Sequence, residues 1–485
     1  MVEVAEGTDD GRWTNPFRGM RDYSIIWSGQ LVSLIGSGMT IFALLVWLYE
    51  TTDAATSVSL LFLFAFGPSV ALSPLAGVIV DRYSRKTIML VSDGLAAVST
   101  IGLLLLHQAD MLSPWAIYGL MSIGGVFQAF QFPALTAATT LMVPKESYGR
   151  ASGMLSTAWA LSGMAAPIMA ALMLGPFGLT GVLLIDLATF VAAVVTLAIV
   201  TIPKPKATKE GEEAKASWRD DLTFGWKFIW RRPSLLGLLM FYFVLNLTGT
   251  IGWVLVQPMI LAKTANNEVI LGTVMALGGV GGIIGGVVMS IWGGPERRIH
   301  GIMLGMFIGS GLGTIVLGLN GGLIVWAMGI FFWSITDPLI MGSSQSIWQS
   351  KVPPDIQGRV FSVRFFIALV GALPAMLIAG PLADHFFEPL MMDATGPLAW
   401  LVGSGPGAGM GLLIVISGVI GVIVTVLAYS SRSIRNIEDI LPDFDEDEQD
   451  AEKDDEGRTS EGAPEEGTGE TEEPGGLAEQ GPNEP

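Results

Sequence analysis

GVIVDRYSRKTIML, residues 77–90, sets four charged side chains, Asp81, Arg82, Arg85 and Lys86, within six positions between two long apolar runs. Residues 58–80 before it hold no charge, and residues 87–107 after it hold only Asp93. A helix needs about 20 apolar residues to cross the hydrocarbon layer. The stretch therefore reads as a tight polar turn between two membrane crossings. The same alternation continues from Tyr23 to Tyr429. Over the 485 residues, 51% are hydrophobic and 14% charged, where a soluble domain carries about a quarter charged residues. The composition is that of a polytopic membrane protein.

Apolar runs and their interruptions predict twelve spans, at 23–49, 58–80, 87–107, 115–141, 151–174, 181–201, 234–261, 270–291, 299–319, 322–350, 360–387 and 403–429. Basic residues cluster in alternate connections. Arg12, Arg18 and Arg21 precede the first span, and Arg82, Arg85 and Lys86 follow the second. Lys145 and Arg150 follow the fourth, eight bases lie between Pro203 and Pro233, and Arg297, Arg298, Lys351 and Arg359 continue the series. The opposite connections contain one base, Lys263. Positive loops stay inside, so both termini are expected in the cytoplasm and the protein in the inner membrane of a prokaryote. No cleavable leader is expected in residues 1–22.

The net charge of −18 is confined to one region. From Glu438 onward there are 20 acidic and two basic residues, and the rest of the chain is neutral. Residues 430–485 are expected to form a disordered acidic tail, since such a composition buries too little apolar surface to order itself. Residues 202–233 form a linker, with apolar positions from Trp218 (Trp218, Leu222, Trp226, Ile229, Trp230) at the spacing of a helix lying on the membrane surface.

VPKESYGRASGM from Val143 and VPPDIQGRVFSV from Val352 share Val-Pro, an acid and Gly-Arg at a shift of 209 residues. The same shift lays Gly77 on Gly286. Two six-span bundles, 23–201 and 234–429, thus descend from one unit, a build that suits alternating access.

Twelve spans in two halves, with G-x-x-x-D-R-x-x-R-K (Gly77, Asp81, Arg82, Arg85, Lys86) after the second, resemble the major facilitator superfamily. FRGMRDYSIIWSGQLVSLIGSGM, FPALTAATTLMVPKE and LIDLATF (with Asp186) resemble its macrolide-type and siderophore-type exporters, over about residues 15–430. The resemblance implies an all-α fold of two pseudo-symmetric bundles and a monomeric, proton-coupled secondary transporter acting on an amphipathic compound. It implies that Gly77, Asp81, Arg82, Arg85 and Lys86, with Arg150, latch the cytoplasmic side. There are departures: Ala96 stands where the branch often has Arg, the fifth-span motif survives as Gly163 and Pro167, and Ser290 replaces the second copy of Asp81.

Intramembrane charge is costly and marks function. Asp337, mid-tenth span, is the leading candidate for proton coupling or cation contact, and the 209 shift maps it to Gln128. Asp93 is a second candidate, expected to reach loop bases; Arg364 either snorkels or pairs with Asp337 or Asp93. Asp186 suits packing or gating. Gln30, Gln128, Gln131, Asn246, Gln257 and Gln345, with Trp253 and Trp333, are expected to line a cavity. No cysteine and three scattered histidines leave no metal constellation, and no phosphate-binding loop appears; neither cofactor nor nucleic acid is expected. The alternatives are a lipid or lysolipid flippase, an uptake permease, a membrane sensor using the acidic tail, or a membrane enzyme, for which Asp384-His385 is the only His-Asp pair and more simply closes the eleventh span.

Overall fold

The computed structural model describes residues 20–143, 148–202, 226–352 and 357–441. Residues 1–19, the linker start with Trp218 and Leu222, and the tail beyond Leu441 lie outside the described residues, as do the side chains of Gly77, Asp81, Arg82 and Arg359. The first four spans are Arg21–Thr52, Ala55–Arg82, Arg85–Gln108 and Pro114–Met142. The polar turn at Tyr83 and Ser84 separates the second from the third, as the charge cluster requires.

Tyr148–Ile199 is continuous except at Gly178, whose φ of 60° breaks it. Its 52 residues would extend about 78 Å if straight, at 1.5 Å per residue, more than two hydrocarbon thicknesses. The packing shows a reversal. Tyr23 and Trp27 of the first span bond to Ala151 and Met154 in parallel order. Gly29 and Gly36 meet Thr196 and Thr189 in antiparallel order. Residues 148–177 and 179–199 are therefore the fifth and sixth spans, and only glycine takes the turn's positive φ without strain.

The second half comprises Pro233–Lys263, Glu268–Trp292, Arg298–Gly318, Gly322–Lys351, Gln357–Leu382 extended to Met391, and Ala408–Ser430. Among the described residues ten helices are long and apolar enough to cross a membrane, with the fifth and sixth spans counted together. Pro114–Met142 adds a further segment of membrane length, in keeping with twelve.

The tail expected from residue 430 starts later than its charge suggests. Arg432–Arg435 and Ile437–Ile440 are short helices with Ile434 and Ile437 buried. Glu438 accepts hydrogen bonds from Arg298 N at 3.0 Å and Ile299 N at 3.1 Å, capping the ninth span. Asp439 pairs with Arg297 at 3.1 Å, and the Lys351 ammonium donates to the Glu438 and Leu441 carbonyls. Apolar burial and capping order this segment despite its acids. In the described end of the linker, 226–230 is helical; Phe228 and Ile229 are buried, while Trp226 and Trp230 lie 5.6 Å apart with their rings tilted by 35° and stay exposed.

The cores show how the halves meet. We call the face carrying both ends of the described chain the terminal face, and its opposite the distal face. Toward the distal face a single apolar core draws on both halves: Met39–Leu48 and Ala166–Ala171 pack with Val254–Leu261, Leu271, Val274 and Ala379. Toward the terminal face the cores are separate among the described residues. One holds Ile26, Ile88, Met89, Ala134 and Leu197; the other holds Leu235, Leu238, Ile299, Ile347 and Val360.

Candidate functional site

The junction between halves follows two helix pairs. Gly272 and Gly279 of the eighth span leave no room for a Cβ against Pro167, Ala171 and Met164 of the fifth, so Pro167 of the fifth-span motif lies on the junction. Farther toward the terminal face, Gly163, Gly153 and Gly286 face open space. The second and eleventh spans behave alike. Gly380 presses on Thr56 and Ser59 near the distal end, while Phe66, Ser69, Val70, Ala372, Leu373 and Met376 line a cleft at mid-depth.

At the distal end of this second pair lies a residue that sequence reasoning assigned no site role. The second span starts at Ala54, which has no side chain able to cap it. Its free backbone groups are taken by Asp384 from the other half, which accepts from Ala55 N (2.9 Å), Thr56 N (2.7 Å) and Thr56 Oγ1 (2.5 Å). A carboxylate at a helix N-terminus satisfies orphan donors and opposes the dipole. Asp384 sits in a π-helical turn, Ala383–Phe387. His385, its neighbour in sequence, lies against the Pro381 carbonyl.

In the first half three predicted residues converge. Asp93, 5% exposed, accepts from Gln30 Nε2 at 3.0 Å and Gln131 Nε2 at 2.9 Å; Gln131 also donates to Gln30 Oε1 at 2.9 Å. Asp93 therefore bonds to amides rather than to the loop bases expected from the sequence. Gln131 Oε1 is buried without a partner. Asp186, 1% exposed, accepts from Ser37, Thr40 and Thr100 and ties the first, third and sixth spans together.

In the second half Asp337 is exposed midway along the tenth span, and Gln128, its counterpart, is exposed in the fourth. Arg364 pairs with neither Asp337 nor Asp93. Its guanidinium donates to Gln345 Oε1 (3.0 Å) and Ser344 Oγ (2.9 Å) and lies 5.2 Å from the Trp348 ring centroid. Two hydrogen bonds and an aromatic face hold it there, so it does not reach across the hollow. The Tyr242 hydroxyl, missed by sequence reasoning because a tyrosine in a span reads as packing, is a buried polar group on the seventh span. Asn246 Nδ2 donates to the Tyr242 carbonyl, Gln257 is buried, and Trp253 and Trp333 form an edge-to-face pair 5.6 Å apart.

Of the charged turn, Lys86 donates to the Ala198 (2.9 Å) and Val200 (2.7 Å) carbonyls, capping the C-terminal end of the sixth span within its own half. Arg85 starts the third span, and Arg150 is exposed in the first turn of the fifth.

Two six-helix halves that share an apolar core at one face, keep separate cores at the other among the described residues and carry carboxylates at mid-span fit a small-molecule transporter of the membrane rather than an enzyme. The chain belongs to the Major Facilitator Superfamily, whose profile matches residues 26–376. It is similar to macrolide efflux protein A of Streptococcus pyogenes, 28% identical over 398 residues spanning 78% of this chain and 91% of that protein. It is also similar to the enterobactin exporter EntS of Escherichia coli, 22% identical over 416 residues, 85% of this chain and 93% of that one. Among solved structures, the nucleoside transporter NupG aligns with a TM-score of 0.61 at 11% identity, covering 84% of this chain and 98% of its own. A bacterial homologue of the iron transporter ferroportin, in an inward-facing state, aligns at 0.59 with 16% identity, covering 85% and 99%. At such identities the two structures speak for the fold alone.

Proposed function

We propose that this protein exports an amphipathic organic compound across the cytoplasmic membrane of a prokaryote in exchange for protons, by tilting its two halves. The observation that carries this reading is the division of the cores: one shared core at the distal face and two separate ones at the terminal face. A junction of this kind can part at one face while closing at the other, which is what alternating access requires. The basic loops assign the terminal face to the cytoplasm, so the conformation described opens inward. The efflux relatives support export. Asp93 and Asp337 lie at membrane depth without a cationic partner among the described residues, and serve as protonation sites. Asp81 would close the cytoplasmic face by the device Asp384 uses at the other, a carboxylate set against a helix N-terminus.

The test is flux in proteoliposomes with an imposed proton gradient and a panel of macrolide-type, siderophore-type and lysolipid compounds. We expect gradient-driven movement of an amphipathic compound, with gradient dependence lost in Asp337→Asn or Asp93→Asn. No gradient-driven flux of any compound, or full gradient dependence in both variants, overturns the proposal; movement of lysolipid alone makes the protein a flippase.

A further inference from the structure

The seventh span presents Tyr242, Asn246, Gly249 and Trp253 at intervals of four, three and four, and the tenth presents Trp333, Asp337, Ser344 and Trp348 at four, seven and four. Such intervals keep side chains on one face of a helix. The two spans run in opposite directions, and Trp253 touches Trp333. One turn from each tryptophan toward the terminal face are Gly249 and Asp337. At Gly249 an added Cβ would meet nothing within 4 Å, so the backbone there borders a hollow. Trp253 is 39% exposed, presenting aromatic surface to open space.

The electrostatics of the hollow are one-sided. Among the described residues no donor reaches the Asp337 carboxylate. Lys351, at the terminal end of the same span, is held by the Glu438 and Leu441 carbonyls, and Arg364 is held by Ser344 and Gln345, seven and eight residues further along the tenth span and so about 10 Å along its axis. An ionised carboxylate in a membrane without a partner is costly, and a ligand of opposite charge relieves that cost. Its neighbours select the kind of cation. A hard inorganic ion needs about six oxygen ligands, whereas this site offers one carboxylate beside two indoles. Indole faces attract alkylated ammonium groups, and an apolar wall suits an apolar body.

We propose that Asp337, the Trp253–Trp333 pair and the hollow at Gly249 form a binding site for a hydrophobic organic cation, an amine or quaternary ammonium on an apolar body. The inference deepens the export reading and rests on it for its transport meaning. The experiment measures equilibrium binding of tetraphenylphosphonium and of its near-isosteric anion, tetraphenylborate, to the full chain in nanodiscs, with empty nanodiscs subtracted. The wild type is expected to bind the phosphonium at least tenfold tighter than the borate. Asp337→Asn should weaken phosphonium binding at least tenfold and erase the charge preference, Asp337→Glu should largely preserve both, and Gly249→Leu should weaken phosphonium binding with the carboxylate intact. Unchanged phosphonium affinity in folded Asp337→Asn, or no charge preference in the wild type, overturns the proposal. Gradient-driven flux of an uncharged amphipath separates the two readings. If it persists without a cation preference, only this inference falls; if it is absent while Asp337-dependent binding holds, export falls and the site stands.

Discussion

Replacing Asp384 with alanine should unlock the distal face. The carboxylate accepts two backbone N–H bonds and one hydroxyl bond across the junction. Charge-assisted hydrogen bonds are worth roughly 1.5–3 kcal/mol each when desolvated, but this residue is only partly buried and water replaces it on opening. A lost N-cap typically costs about 1 kcal/mol, and a lost helix-dipole interaction a further 0.3–1 kcal/mol. We therefore expect a loss of about 2 kcal/mol from the distally closed state, and each 1.4 kcal/mol changes an equilibrium tenfold. The population open at the distal face should rise about 30-fold. The chain has no cysteine, so a single Ala379→Cys, fully buried in the shared core, reports opening without background. Its maleimide labelling rate in nanodiscs should increase by about the same factor when Asp384→Ala is added, with Asp384→Asn intermediate. An unchanged rate in a folded double variant would refute the idea that Asp384 holds the halves together.

Gly380→Leu, with no room for a side chain against Thr56 and Ser59, should raise the same labelling rate, since overpacking costs about 1–3 kcal/mol; a slower rate would argue against a fixed distal junction. Lys86→Met should lower the thermal midpoint by a few degrees, through loss of two bonds to the end of the sixth span worth about 1–2 kcal/mol, yet leave flux per folded molecule within about twofold; a large flux loss at unchanged stability would return Lys86 to a gating role. Truncation after Leu441 should leave thermal stability unchanged, whereas truncation after Ser431 should lower it by removing the Glu438 cap and the Ile434 and Ile437 contacts. Equal midpoints for the two truncations would show that this segment contributes nothing.

The spans were legible because about 20 apolar residues are a local signal that tertiary context rarely overrides. Even the hinge at Leu319–Gly321 falls where glycine and asparagine interrupt the hydropathy. The start of the acidic tail was not legible, because the isoleucines at 434 and 437 gain burial only against the second half. The amides were legible as types: Gln30, Gln131 and Asp93 were all flagged, but their union depends on the register of the first, third and fourth spans. Arg364 was read by charge complementarity, and its neutral partners Ser344 and Gln345 give no such cue. Asp384 was hardest to see. Its partners are backbone N–H groups 328 and 329 residues away, which no side-chain motif records, although the uncapped Ala54 left a donor group unaccounted for.

Ala54, Arg297 and Gly407 begin their helices with no capping side chain, and Asp384, Glu438 and Glu388 supply the missing acceptors from distant parts of the chain. Two of these acids serve helices of their own half and travel with them as rivets. The third spans the seam, so under the proposed alternating access it would detach once per turnover and hand its helix end to water. A bond that breaks into solvent is easily remade, which makes that seam a clasp suited to repeated use.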